Sequence, residues 1–383
     1  MNNKSQIFKI FLLVLISVQF GCNSRSDLNN SILEQENPFQ TLIDSVVVSD
    51  DAIAGIILHI ESPDLNVSWT GTSGADRIDS DSNLKPSQPF RIASVTKTYV
   101  ATTILLLAEK NQINIDDSIG FYLSKERIEL LKRDGYQTEK ISVRNLLNHT
   151  SGIFDYAMSE AYFNKILENP NHVWSRSEQL EVAIQHGKPI ANPNEQYNYS
   201  DTGYILLGEI IEIVTGKSLA TSLRDLIGFK NSGLNATWTE SMESKPNGLP
   251  DIVHPYFDGM DFYAFDPSID LYGGGGLVST ASDLAIFFQT LFTNGIFEKR
   301  STLDMMLTRT ALNNGEPAAQ DYRIGIDVFE INEYTIYSHS GFWGTLAAYI
   351  PELNSTVAVN FTNGYNRELL TKCVLILEEL KNN

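Results

Sequence analysis

Ser94 and Lys97 stand three residues apart, at the head of a run, Thr98 to Leu107, that carries no charge. Positions three apart share one face of a helix, so this spacing sets an amine beside a hydroxyl. A serine hydroxyl is a weak nucleophile until a neighbour takes its proton. A lysine kept neutral by burial can take it. The residues that follow are apolar nearly all round, the pattern of a buried helix. A polar pair at the mouth of such a helix needs an explanation. The spacing alone is common, however. Ser82 and Lys85 repeat it inside the polar run Asp79 to Asn83, just before Pro86, and that copy reads as a surface loop. The structural reading of Ser94 is a helix cap, with Lys97 in solvent.

Two further polar clusters stand out. Tyr197-Asn198-Tyr199-Ser200-Asp201 leads into the apolar Ile205-Leu206-Leu207-Gly208. A Tyr-x-Asn/Asp triplet is frequent by chance, and Tyr162-Phe163-Asn164 and Tyr256-Phe257-Asp258 fit it too. Its structural reading is a half-buried aromatic with Ser200 or Asp201 capping a helix. His339-Ser340-Gly341-Phe342 lies on or beside a strand, where a lone histidine is most often structural.

In this order, the three clusters resemble the serine β-lactamase and DD-peptidase superfamily. The likeness is to its class C β-lactamase, DD-carboxypeptidase and esterase branch, which carries Ser-x-x-Lys, Tyr-x-Asn and Lys/His-Thr/Ser-Gly boxes. Flanking segments look similar as well: Phe90-Arg91-Ile92-Ala93, then Val143 to Gly152 with its His149-Thr150-Ser151-Gly152, then Gly275 to Leu284. The resemblance spans roughly Phe39 to Phe361. It implies Ser94 as nucleophile, with Lys97 and Tyr199 sharing the base role that histidine fills in a Ser-His-Asp triad. It implies an oxyanion hole made of the backbone N–H groups of Ser94 and Phe342. Asp201, His339, Ser340 and Gly341 would then line the substrate site.

Two positions depart from the pattern. Asp201 replaces the usual asparagine, exchanging an amide donor for an anion beside the base pair. His339 stands where class C β-lactamases carry lysine, although peptidase and esterase members carry histidine there. A free imidazole, with a pKa of about 6.5, is mostly neutral at pH 7 unless a neighbour holds its proton. Asp201 is a candidate for that neighbour; without it the site should accept uncharged acyl donors, so esters should outpace β-lactams at neutral pH, while acid should favour substrates that bear a carboxylate.

Composition narrows the class. The chain has 383 residues, 42 % of them hydrophobic, enough for one large domain or two intimate subdomains. Its formal charge is −19 with no visible basic patch, which argues against a nucleic-acid partner. Six histidines show no HExxH spacing, so neither a metal nor any other cofactor is expected. Gly273 to Gly276 are not followed by Gly-Lys-Ser/Thr, so they read as a close backbone approach, not a phosphate loop. Cys373, in an apolar C-terminal stretch, reads as a core residue.

The N-terminus reads as an export signal: Lys4 and Lys9, an apolar stretch from Ile10 to Val18, then Gly21-Cys22. The end of that signal resembles those of bacterial lipoproteins, with Cys22 as the lipidated residue; Gln19 departs from the usual aliphatic residue. The expected organisation is a signal peptide over 1–21, a lipidated tether over 22–36, and a hydrolase domain over 37–383. Within that domain a sheet subdomain comprises 37–115 and 270–383, and a mostly helical one 116–269. The fold class is mixed α/β (α+β), with an antiparallel sheet built from both chain ends and flanked by helices. The expected function is an exported serine hydrolase of the bacterial cell envelope, anchored by lipid on the periplasmic side or cell surface. It would act on D-amino-acid peptides, peptidoglycan stem peptides among them, or on short esters. The alternatives are a β-lactamase proper or a non-hydrolysing penicillin- or peptidoglycan-binding protein. Replacing Cys22 with serine should release the protein from membranes or block its processing. Unchanged membrane fractionation, with no lipid on Cys22 by mass spectrometry, would refute lipidation.

Overall fold

The structure is a computed structural model that describes residues 37–366 and 368–383. The signal peptide, Cys22 and the tether to residue 36 lie outside the described residues.

Helix α1 (Pro38–Ser49) begins with Asn37 accepting the Phe39 N–H and a proline in its first turn. Strands β1 (Gly55–Ser62) and β2 (Val67–Gly74) form a hairpin. Helix α2 (Thr96–Glu109) follows. A helical stretch then leads to α3 (Asp201–Thr215), stopped by left-handed Gly216, and on to α4 (Ala281–Phe292). Helix α4 is capped by Thr280, whose hydroxyl accepts the Asp283 N–H at 3.2 Å. The meander β3 (Asp327–Ile331), β4 (Tyr334–Gly341), β5 (Thr345–Ile350) and β6 (Ser355–Phe361) ends in helix α5 (Leu369–Asn382).

The six strands form one antiparallel sheet in the order β2-β1-β6-β5-β4-β3. The join between β1 and β6, running from Ile56 opposite Phe361 to Glu61 opposite Thr356, unites the two ends of the domain. Alternation assigns the faces. Ile56, Leu58 and Ile60 pack with α1 and α5 through Phe39, Ile43, Leu370, Val374 and Leu377. Ile57, between them, packs on the other side with Ala347, Ala358 and the residues of α2 and α4. Cys373 sits in the first of these cores, where burial pushes its thiol up to about 12.

A small sheet positions the start of α2. Phe90–Arg91 and Trp238–Thr239 both pair with Leu277–Ser279. Arg91, nearly buried, donates twice to the Glu240 carboxylate, at 2.7 and 3.1 Å, and once to Phe262 O. The end of β4 closes against the same region. A Cβ at Gly341 would lie 2.2 Å from Ile92 O, so only glycine lets the strand come this near. Gly341→Ala should therefore cost about 1–3 kcal/mol through forced backbone movement. Gly120→Ala, on a surface turn whose nearest atom is 3.3 Å away, should stay close to wild type. Thermal unfolding compares the two, and equal midpoints would show that the β4 contact is slack.

Candidate active site

The chain leaves Phe90–Arg91 with Ile92 N–H donating to Leu277 O, and turns through Ala93 at φ +44°. A 3₁₀ turn, Ala93–Val95, then runs straight into α2. Ser94 thus sits in the tighter turn before the helix, and no side chain caps α2. Its hydroxyl meets Lys97 instead. The Lys97 Nζ donates to Ser94 Oγ at 2.9 Å and to Gly274 O at 2.6 Å, and pairs with the Asp201 carboxylate. Lys97 is 0 % exposed, and Asp201 16 %. Its neighbours are thus a hydroxyl, a carbonyl and a carboxylate, the kind of partners a buried ammonium needs. The other Ser-x-x-Lys copy lies in a loop, where Ser82 donates to Asp76.

Helix α3 delivers the second cluster. Asp201 is its first residue, where the helix dipole favours an anion. Tyr199 lies just outside the helix, with Lys97 Nζ 4.9 Å from its ring centroid and Ser94 as a hydrogen-bond partner of its hydroxyl. Burial, then the charge of Asp201, pushes this phenol well above its ordinary range, against the opposing pull of the Ser94 bond. Tyr199 is therefore neutral at rest.

Two more carboxylates surround the pair. Asp155 accepts the Ala157 N–H, and burial followed by the Asp201 charge pushes its carboxyl well up. Asp270 is raised to about 7 for the same two reasons, in the same order. The glycine run makes the close approach expected of it. A Cβ on Gly275 would lie 2.2 Å from Asp270 Oδ1, and Gly273 and Gly276 adopt φ of +125° and +103°.

His339 lies near the end of β4 and is turned inward, nearly buried. Its Nδ1 is 2.8 Å from Ser340 O and its Nε2 3.0 Å from the Tyr322 hydroxyl. A carbonyl only accepts, so Nδ1 carries the proton and Nε2 accepts from Tyr322. Burial first, then Lys97, pushes the ring down to about 3. The expected partnership with Asp201 is therefore corrected: Asp201 pairs with Lys97, and His339 with Tyr322. The physical reason is that a buried ammonium must keep an anion, whereas imidazole avoids the desolvation cost by staying neutral. Ser340 is exposed, and Gly341 brings the Phe342 backbone beside the Ser94 turn. The Phe342 ring packs on Phe257 at 4.9 Å.

The structure thus gathers Ser94, Lys97, Tyr199 and Asp201 at one point, with His339 and Gly341 on the adjoining strand. It adds Asp155, Asp270, Tyr322 and His149. Only His149 had left a signal, in its His-Thr-Ser-Gly flank; nothing in the local sequence of the other three marks them. Among the described residues no group of three or more His, Cys, Asp or Glu is arranged to hold a metal.

Comparison with known proteins agrees with this geometry. The Beta-lactamase family profile matches residues 64–378. Penicillin-binding protein 4* of Bacillus subtilis is 28 % identical over 274 residues, 68 % of this chain and 57 % of that protein. Protein flp of Staphylococcus aureus is 24 % identical over 294 residues, 75 % and 55 %. The chain thus spans little more than half the length of these curated relatives. Among solved structures, a D-stereospecific amidohydrolase from Streptomyces sp. is 26 % identical with a TM-score of 0.71, covering 85 % of this chain and 93 % of that one. The D-amino acid amidase of Ochrobactrum anthropi SV3, at 22 % identity and TM-score 0.74 over 90 % and 99 %, shares the fold. With a family profile over most of its length and the family's boxes assembled in space, this chain belongs to the Beta-lactamase family.

Proposed function

We propose that this protein hydrolyses uncharged esters and amides through an acyl-enzyme on Ser94, with short acyl esters and D-amino-acid amides as its best substrates. Peptides that end in a free carboxylate come second, and β-lactams third. One observation carries the reading: Ser94 Oγ is held at 2.9 Å by a fully buried Lys97 and shares Tyr199 as a second partner. The Lys97 ammonium first passes one proton to the Asp201 carboxylate, which leaves a neutral amine; as Ser94 Oγ attacks the substrate carbonyl, its proton passes to that amine, directly or through the Tyr199 hydroxyl. The carbonyl π pair moves onto oxygen, towards the N–H groups of Ser94 and Phe342. The intermediate collapses, the C–O or C–N bond breaks, and the leaving group takes the proton from the same unit. Water repeats the sequence on the acyl-enzyme and frees Ser94.

Substrate charge follows from His339. Both its ring nitrogens are used within the protein, and Asp155, Asp201 and Asp270 crowd the Lys97 ammonium, with Arg91 also acting on Asp270. The site supports no receptor for an anionic substrate group. The 26 %-identical Streptomyces amidohydrolase supports the amide side of the reading. Export with a lipid on Cys22 remains part of the proposal, supported by Lys4, Lys9 and the apolar stretch ending before Gly21-Cys22.

Ser94→Ala should abolish turnover and fluorophosphonate labelling, and Ser82→Ala should be silent. Substantial turnover in the first variant would sink the mechanism. Lys97→Ala and Tyr199→Phe should each slow acylation by about 10²–10⁴-fold. Their double variant should lose little more, because the pair acts as one unit; additive losses would separate them.

A pH series tests the substrate claim. With His339 near 3, its ring is neutral throughout pH 5–8. The kcat/KM ratio of a neutral ester to its free-acid analogue should therefore be flat over that range, reversing the sequence-based expectation. His339→Lys should move the preference towards the acid. A wild-type ratio that falls steadily below pH 7 would restore a charged His339. Stability should respond as well. The unfolded ring binds its proton near a pKa of about 6.5 and the folded one only near 3, so the contribution of His339 is present above about pH 6.5 and is lost as pH falls towards 3. His339→Gln should shrink the acid-side loss of Tm; an unchanged acid limb would assign that loss elsewhere.

A further inference from the structure

We infer that His149 is the positioning residue that holds Tyr199 over Ser94 and Lys97, acting through a neutral imidazole with its acceptor nitrogen on Ser200. The inference rests on the base role given to Tyr199 above. His149 is almost fully buried and adopts a left-handed backbone at φ +58°, a conformation uncommon for residues other than glycine and a strain that needs a compensating contact. The contacts are on both sides of Tyr199. Asn198 N–H donates to His149 O at 2.8 Å, and Ser200 N–H donates to His149 Nδ1 at 3.1 Å. One residue thus grips the chain immediately before and after the tyrosine.

The ring adds a third restraint. Its centroid is 4.1 Å from that of Tyr199, and Tyr204 and Tyr322 enclose it at 5.1 and 4.6 Å. Neighbouring loop bonds extend the clamp, with Asn194 N–H on Thr150 O and Ile190 N–H on Gly152 O. A backbone N–H only donates, so Nδ1 must be bare and the ring proton must sit on Nε2. The Nε2 atom has no hydrogen-bond partner among the described residues, so no competing bond favours the other tautomer. Charging the ring would put a proton on the atom that receives Ser200. The groups that face it, Lys97 and His339 together with the tyrosine rings, give such a charge no anionic partner, and burial, Lys97 and His339 hold the imidazole well below its ordinary range.

This arrangement separates two substitutions that a packing role would not. His149→Asn keeps an acceptor near the Nδ1 position and tolerates the left-handed backbone, but loses the ring. His149→Phe keeps the ring and loses the acceptor, leaving a buried N–H unpaired. The experiment measures kcat and KM on a neutral ester for His149→Asn, His149→Phe and His149→Ala, each alone and in a Tyr199→Phe background. Amide exchange at Ser200 and the ¹⁵N shifts of the wild-type histidines are recorded alongside. The expected result is that Asn stays within about tenfold of wild type in kcat, whereas Phe and Ala fall by about 10²-fold with KM nearly constant. The Ser200 amide should be protected in wild type and Asn and exposed in Phe and Ala. All three effects on kcat should vanish once Tyr199 is phenylalanine. His149 should show a bare Nδ1 from pH 5 to 8.

Equal losses in Asn and Phe, or losses that persist in the Tyr199→Phe background, would overturn the positioning role while leaving the base assignment intact. A protonated Nδ1 in the wild type would overturn it without any variant having to fold. Wild-type turnover in Tyr199→Phe alone would overturn the base assignment, and the positioning role with it, while leaving the Ser200 bond a structural fact.

Discussion

A lysine ammonium with no solvent exposure is the constraint around which this domain is arranged. Lys97 has Ser94 Oγ, Gly274 O and the Asp201 carboxylate as its three partners. They come from three distant parts of the chain. The turn before α2, the glycine run and the first residue of α3 must therefore meet at one atom. Burying a charge without such partners costs several kcal/mol. Each local feature nearby follows from that meeting. Gly273 to Gly276 carry no side chains because a carbonyl must reach the ammonium between Asp201, Asp270 and Tyr204. The pairing of Phe90–Arg91 with Leu277–Ser279 fixes the turn and the glycine run to one another.

The same charge governs its surroundings. Asp201 is taken by Lys97, so Asp155 and Asp270 face an anion already in place, and both shift upward, Asp270 to about 7. Tyr199 is raised by the same carboxylate. His149 and His339 are lowered by burial and by the ammonium. The result is one ion pair, Lys97 with Asp201, ringed by groups whose neutral forms burial favours. Neutrality is what lets His149 accept from Ser200 and His339 accept from Tyr322. A positive ring at either place would lose its acceptor and repel Lys97.

The sequence by itself determined the ingredients and their register. A hydroxyl and an amine three apart before an apolar run dictated a buried helix with Lys97 on its first turn and Ser94 beside it. Alternating apolar residues at both ends dictated the strands, and Thr280 dictated the start of α4. The lack of Gly-Lys-Ser/Thr after the glycines dictated a close approach in place of a phosphate loop. These signals are local, since backbone geometry converts spacing directly into direction. Tertiary structure decided the partnerships. Nothing within a few residues of Asp201 tells whether it faces Lys97, 104 positions earlier in the chain, or His339, 138 positions later. That choice depends on which side chains the fold packs together, and here the first turn of α3 meets the first turn of α2. Tyr322 and Asp270 have no local signature, because a single tyrosine or aspartate gains its meaning only from the ring or carboxylate packed beside it. Ser94 looked like a residue of the helix and lies instead in the tighter turn before it, since the strand pairing of Phe90–Arg91 and the close contact of Gly341 force the chain to bend sharply there.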